Sequence, residues 1–144
     1  MSESLPRIGS ALLVRDGTNR VLLGQRNKEP LKGFWVIPGG KIHAFESIAE
    51  AAARELQEET GLTVEVGRQF GVYEIVRPPN EHRIVIYSWA RFVGGDPKAS
   101  DDLSDVKFFQ AHELANLQLS PLVRRVLEDA ELLQVRELAA SRHT

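Results

Sequence analysis

The segment 39–62 limits the fold more than any other part of the chain. Ser47 followed by Glu50 is a capping-box pattern, which predicts a helix beginning at Ile48, and Gly61 suits a left-handed end to it. At about 100° per residue, Ile48, Ala51 and Ala52 share one stripe, which should face a sheet. Toward the C-terminus the stripe changes character, with Glu55 at its centre and Glu58 and Glu59 on either side. Three like charges within one turn repel one another, and the helix dipole opposes negative charge at this end. Two readings are open: a solvated acidic face, or a site completed by a cation. Arg54 serves both, since it can pair with Glu50 or Glu58. Carboxylates without His or Cys select hard ions, so the cation expected is Mg²⁺, or Mn²⁺ in its place. Gly39 and Gly40, just ahead of the helix, let the backbone approach a ligand closely and can turn a carbonyl toward it. Lys41 adds a positive charge there, unless it is an ordinary surface lysine.

The rest of the chain frames this helix. Strands are expected at 8–14 and 21–25, joined by a turn at 16–19, followed by a loop at 28–33 broken by Pro30 and a short apolar strand at 34–37. Further strands are expected at 63–66, 70–76, 83–92 and 106–109, with a short helix near 111–116. Ser120 and Pro121 mark the start of a last helix, whose packing face is Val123, Val126, Leu127, Ala130 and Leu133. Strands, helix, strands, helix predicts an α+β fold, an α/β/α sandwich with a mixed sheet between helices. At 144 residues the chain fits a single domain spanning 1–144, with 1–7 expected to be flexible.

Composition narrows the partners. A net charge of −2 and a pI of about 6.1 provide no global basic field, so neither nucleic acid nor a membrane surface is expected as a partner. An anionic substrate then requires a local solution, such as a bound cation. There is no Cys, which excludes disulfides, thiolate catalysis and Cys-held zinc or iron–sulfur sites. No apolar run approaches a membrane span, and 1–7 lacks the apolar core of a signal peptide, so a cytoplasmic location is expected.

From Gly40 the chain reads GKIHAFESIAEAAARELQEETGL. This resembles the Nudix box, G-x₅-E-x₇-R-E-U-x-E-E-x-G-U with U aliphatic. Gly40, Glu46, Arg54, Glu55, Leu56, Glu58, Glu59, Gly61 and Leu62 all match it without departure. The stretches VLLGQR, FWVIPGG and the late GGDP, DD and VKFF also look like parts of that family's fold. The resemblance implies the Nudix sandwich and a divalent-metal site on the box helix. Glu55, Glu58 and Glu59 would be its carboxylate ligands and Gly39 its carbonyl ligand, with Arg54 holding a glutamate in place and Glu46 in support. It further implies a hydrolase that splits a diphosphate linkage by attack of water at phosphorus, and it is compatible with a homodimer.

Roles beyond the box are read with more than one outcome open. The general base is Glu55 or an acid from a later loop, where Asp102 is preferred over Asp101 and Asp105. Phe34, Trp35, Tyr73, Tyr87 and Trp89 could stack on a base or fill the core, and of these Trp35 and Tyr73 are the expected substrate contacts. Arg26 is the expected phosphate contact beside Lys41, while Lys28, Arg77 and Arg83 could act similarly or be surface charge. The candidate substrates are ADP-ribose or another sugar nucleotide, a (deoxy)nucleoside triphosphate, and a dinucleoside polyphosphate. The segment before the box is also similar to Nudix GDP-mannose hydrolases, which attack the sugar carbon with a loop histidine. Here the box is complete and 100–105 holds no histidine, so attack at phosphorus of a nucleoside diphosphate sugar is expected. A Nudix module that binds nucleotides without cutting them is the rival from another class.

Overall fold

A computed structural model describes residues 5–135, which form seven strands and three helices. The centre is β1 (Arg7–Arg15), which runs parallel to β6 (Glu81–Gly94) along its whole length. On its other side β1 has two partners in succession. Its early residues pair antiparallel with β4 (Gly39–Lys41), and Arg15 meets Val21 of β2 (Val21–Arg26). β2 then carries β3 (Trp35–Val36) and β7 (Leu103–Phe109), while β5 (Thr63–Arg77) closes the far edge on β6. The sheet is therefore mixed, as expected.

Residue alternation along β1 assigns the two layers. Ala11 and Leu13 point to one face, where they join Val21, Leu23, Tyr87 and the packing face of α3 (Pro121–Asp129). Leu12 and Val14 point to the other, where they meet Leu22 and the Ala52 and Leu56 face of α1 (Ile48–Thr60). All five residues named from the α3 periodicity are buried. Between β7 and α3 lies the short α2 (Ala111–Leu114).

Both long helices begin where local chemistry predicts. The Ser47 hydroxyl accepts from the Glu50 amide and the Glu50 carboxylate accepts from the Ser47 amide, completing the capping box. Gly61 ends α1 at φ 74°, a region that side-chain-bearing residues enter at a cost. Ser120 caps α3 through the Val123 amide, with Pro121 in the first turn.

The observed elements add to or depart from the expected pattern in three places. The expected strands 63–66 and 70–76 are one strand, β5, interrupted by register shifts between Val66 and Gly71 rather than by a loop. The glycine pair after Pro38 is itself a strand, because β1 presents free backbone groups to it. Of the segment 1–7, Arg7 pairs with Arg83, and residues 1–4 lie outside the described residues.

Candidate functional site

The site is built where the C-terminal half of α1 passes β4. The Ser10 hydroxyl donates to the Ile48 carbonyl and anchors the start of the helix to β1. One side of the helix is buried through Ala52 and Leu56, so the residues flanking Leu56 emerge at the rim of the sheet. Gly40 lets the Glu55 carboxylate lie directly against β4, because a side chain at position 40 would displace that carboxylate.

Arg54 organises the rim. Its Nε and Nη2 grip Glu46 at 2.6 and 3.0 Å, and Nη2 also donates to the Lys41 carbonyl at 2.9 Å. Its Nη1 reaches Glu58 at 3.1 Å and Glu55 at 3.4 Å. The Arg54 hydrogen bonds, aided by the His43 amide, hold the Glu46 carboxyl down at about 2, and the same contacts raise the Arg54 pKa. Arg54 thus binds Glu46, Glu55 and Glu58 together, a larger role than pairing with Glu50 or Glu58 alone. Glu50 is engaged in the capping box instead.

Glu59 differs from its neighbours. It is largely buried, and its Oε1 has no hydrogen-bond partner. Burial, then the charge of Glu55 and more weakly those of Asp101 and Asp102, push its pKa up to about 8; the Gly39 amide opposes this. Among the described residues no three acidic or histidine side chains already converge on one point. Glu58 leans away on Arg54 and is half exposed.

A loop completes the rim. The Lys98 amide donates to the Thr60 carbonyl at 2.9 Å and the Ser100 amide to the Glu59 carbonyl at 3.0 Å, which lays 98–102 over the end of α1. Asn27 holds the loop from the other side, its amide donating to Asp102 and its side chain to the Asp101 carbonyl. Asp102 is paired with Lys28 at 2.8 Å. Asn27 was not singled out in the sequence, because its partners lie 74 and 75 positions away and no local pattern links them.

Two of the expected substrate contacts, Trp35 and Tyr73, lie away from this rim. Trp35 is 8% exposed and packs edge-on against Phe109 at 4.9 Å. Tyr73 is 7% exposed, packs against Phe70 and Tyr87, and donates its hydroxyl to Asp129 at 2.8 Å. Both are buried in the core beneath α3, the second of the two outcomes open for them, rather than exposed as substrate contacts. Arg26 donates from Nε to the Pro30 carbonyl and closes its own loop, although Leu103 pairs beside it. Lys41 is exposed at the rim.

Comparison with known proteins agrees with this geometry. The NUDIX domain family matches residues 5–130. An ADP-ribose pyrophosphatase of Methanocaldococcus jannaschii is 39% identical over 100 residues, or 69% of this chain and 59% of that protein. The solved MutT NUDIX hydrolase of Burkholderia pseudomallei superposes with a TM-score of 0.76 at 29% identity, covering 88% of this chain and 98% of its own. The MutT protein of Methanosarcina mazei Go1 gives 0.75 at 27% identity, covering 91% and 96%. A complete box on the helix that carries the buried Glu59, within the same sandwich, makes this chain a member of the Nudix hydrolase family.

Proposed function

We propose that the protein is a divalent-metal-dependent pyrophosphohydrolase acting on a nucleoside diphosphate sugar, with ADP-ribose as the first substrate to test. The observation that carries this reading is Glu59: a buried carboxylate oxygen with no partner, beside Glu55 and the Gly39 backbone. A buried polar atom left unpaired is costly unless a ligand completes it, and an all-oxygen donor set suits a hard cation. Glu55, Glu58, Glu59 and the Gly39 carbonyl would hold Mg²⁺ or Mn²⁺. Such an ion, when bound, neutralises phosphate oxygens and makes an attacking water more acidic. The 39% identical relative named as an ADP-ribose pyrophosphatase supports the choice of substrate; the chain spans 59% of that protein's length.

The chain's own residues supply positioning and proton transfer. Arg54 restrains Glu55 and Glu58 while Glu46 restrains Arg54, so the helix end presents a pre-set array rather than mobile side chains. Glu55 is the proposed base, with Asp102 as the loop alternative. Water adds to one phosphorus as its proton passes to the carboxylate. The bond from that phosphorus to the bridging oxygen breaks, and the bridging oxygen leaves with the electron pair on the other phosphate. The products are a nucleoside monophosphate and a sugar phosphate.

With Mg²⁺ and ADP-ribose in ¹⁸O-labelled water, the label should enter a phosphate, giving AMP and ribose 5-phosphate, and chelation should abolish turnover. Full activity after exhaustive chelation, or label in free sugar with ADP as the other product, would overturn the mechanism. Gel filtration across a concentration series tests the homodimer.

A further inference from the structure

We propose that Lys28 is a phosphate-binding residue, held on Asp102 in the free protein and transferred to the substrate's diphosphate on binding. The inference rests on the diphosphate reading above, and it comes from the loop contacts around Asp102. Lys28 lies in the loop just after β2, beside Asn27, whose amide donates to the Asp102 carbonyl at 2.8 Å and whose side chain donates to the Asp101 carbonyl at 3.1 Å. The same loop is bonded to the end of α1 through Ser100 and Glu59. The Lys28 backbone is therefore fixed next to the acidic rim, while its side chain is free to swing.

The strength of its ion pair decides what Lys28 can do. Its Nζ lies 2.8 Å from Asp102 Oδ1, with the two side chains 60% and 43% exposed. A pair this open contributes little, so a more highly charged anion can take the lysine away. The two arginines nearest the rim are less available, while Lys41 is exposed at its other side. Arg54 is bound by Glu46, Glu58 and the Lys41 carbonyl, and Arg26 is engaged with the Pro30 carbonyl. In the free protein Lys28 partly cancels Asp102 and weakens the field that attracts a cation. When it moves to a phosphate, the Asp102 charge returns to the rim as the anion arrives.

This exchange predicts effects of opposite sign from one substitution. Lys28→Met should bind Mn²⁺ alone about fivefold more tightly by calorimetry, since a positive charge has left the rim. The same variant should bind inorganic pyrophosphate, in the presence of Mg²⁺, about tenfold more weakly. It should also raise KM for ADP-ribose by a similar factor with a smaller change in kcat, and Lys28→Arg should restore KM. Mn²⁺ and pyrophosphate both weakened would mean that Lys28 merely holds the loop, and unchanged pyrophosphate binding would make it surface charge; either result overturns the proposal. A parent protein inert toward ADP-ribose would sink the substrate assignment alone, leaving the Mn²⁺ and pyrophosphate measurements to decide the role of Lys28.

Discussion

The two faces of the sheet treat buried polar groups differently. Beneath α3, burial pushes the Tyr73 hydroxyl up to about 12, yet that hydroxyl has a built-in acceptor in Asp129. On the same side Arg15 Nε lacks a hydrogen-bond partner, but its guanidinium lies 4.3 Å from the Trp89 ring centroid, where the π face takes up part of its charge. On the α1 side, burial also raises Glu59, to about 8, but its nearest charged neighbours are acids. The first face gives each of these groups a neighbour of complementary charge character, an acceptor for Tyr73 and a π face for Arg15. The second leaves one unresolved, at the point where the box residues gather.

The largest test of this contrast is Glu59→Gln. It should lower turnover by about a hundredfold or more, as measured with Mg²⁺ and substrate, while leaving the metal-free protein as stable or slightly more so. A parent-like rate would remove Glu59 from the site. The pH dependence has a definite sign. Because burial pushes Glu59 up to about 8 in the folded state, against an ordinary 4.5, the folded state holds a proton that the unfolded state has released across that window. Stability from this group is fully present below about 4.5 and is lost as pH rises through 8. The melting temperature of the metal-free protein should therefore fall from about pH 5 to pH 8, and Glu59→Gln should flatten that slope.

The α3 side should respond in the opposite way. Leu127→Ala removes a side chain with 0% exposure from that layer and should cost about 2–5 kcal/mol in denaturant unfolding. The kcat of the folded fraction should stay near that of the parent. A large kcat loss without a stability loss would break the division between the faces.

The smallest effect separates structure from recognition at a single hydroxyl. Tyr73→Phe keeps the ring and removes the bond to Asp129, so about 1 kcal/mol of stability should be lost with KM unchanged. A raised KM with unchanged stability would return Tyr73 to the substrate site.

The amino-acid sequence by itself determined what short-range chemistry specifies. Both helix starts, the Gly61 end of α1 and the α3 packing face follow from groups within a few residues of one another, so their spacing was readable. The acidic stripe and the box were readable for the same reason, since one helix carries them. Tertiary structure decided the rest. Gly39–Lys41 became a strand because β1 offers it a partner, and β5 runs through its irregularities because β6 continues beside it. Whether Trp35 and Tyr73 faced a cleft or a core depended on which sheet face α3 covers. The pairing of Lys28 with Asp102 and the clamp by Asn27 join loops that are adjacent only after folding. Helix caps bond their own neighbours, whereas strand partners, burial and loop-to-loop charge pairs depend on residues that the chain brings together from afar.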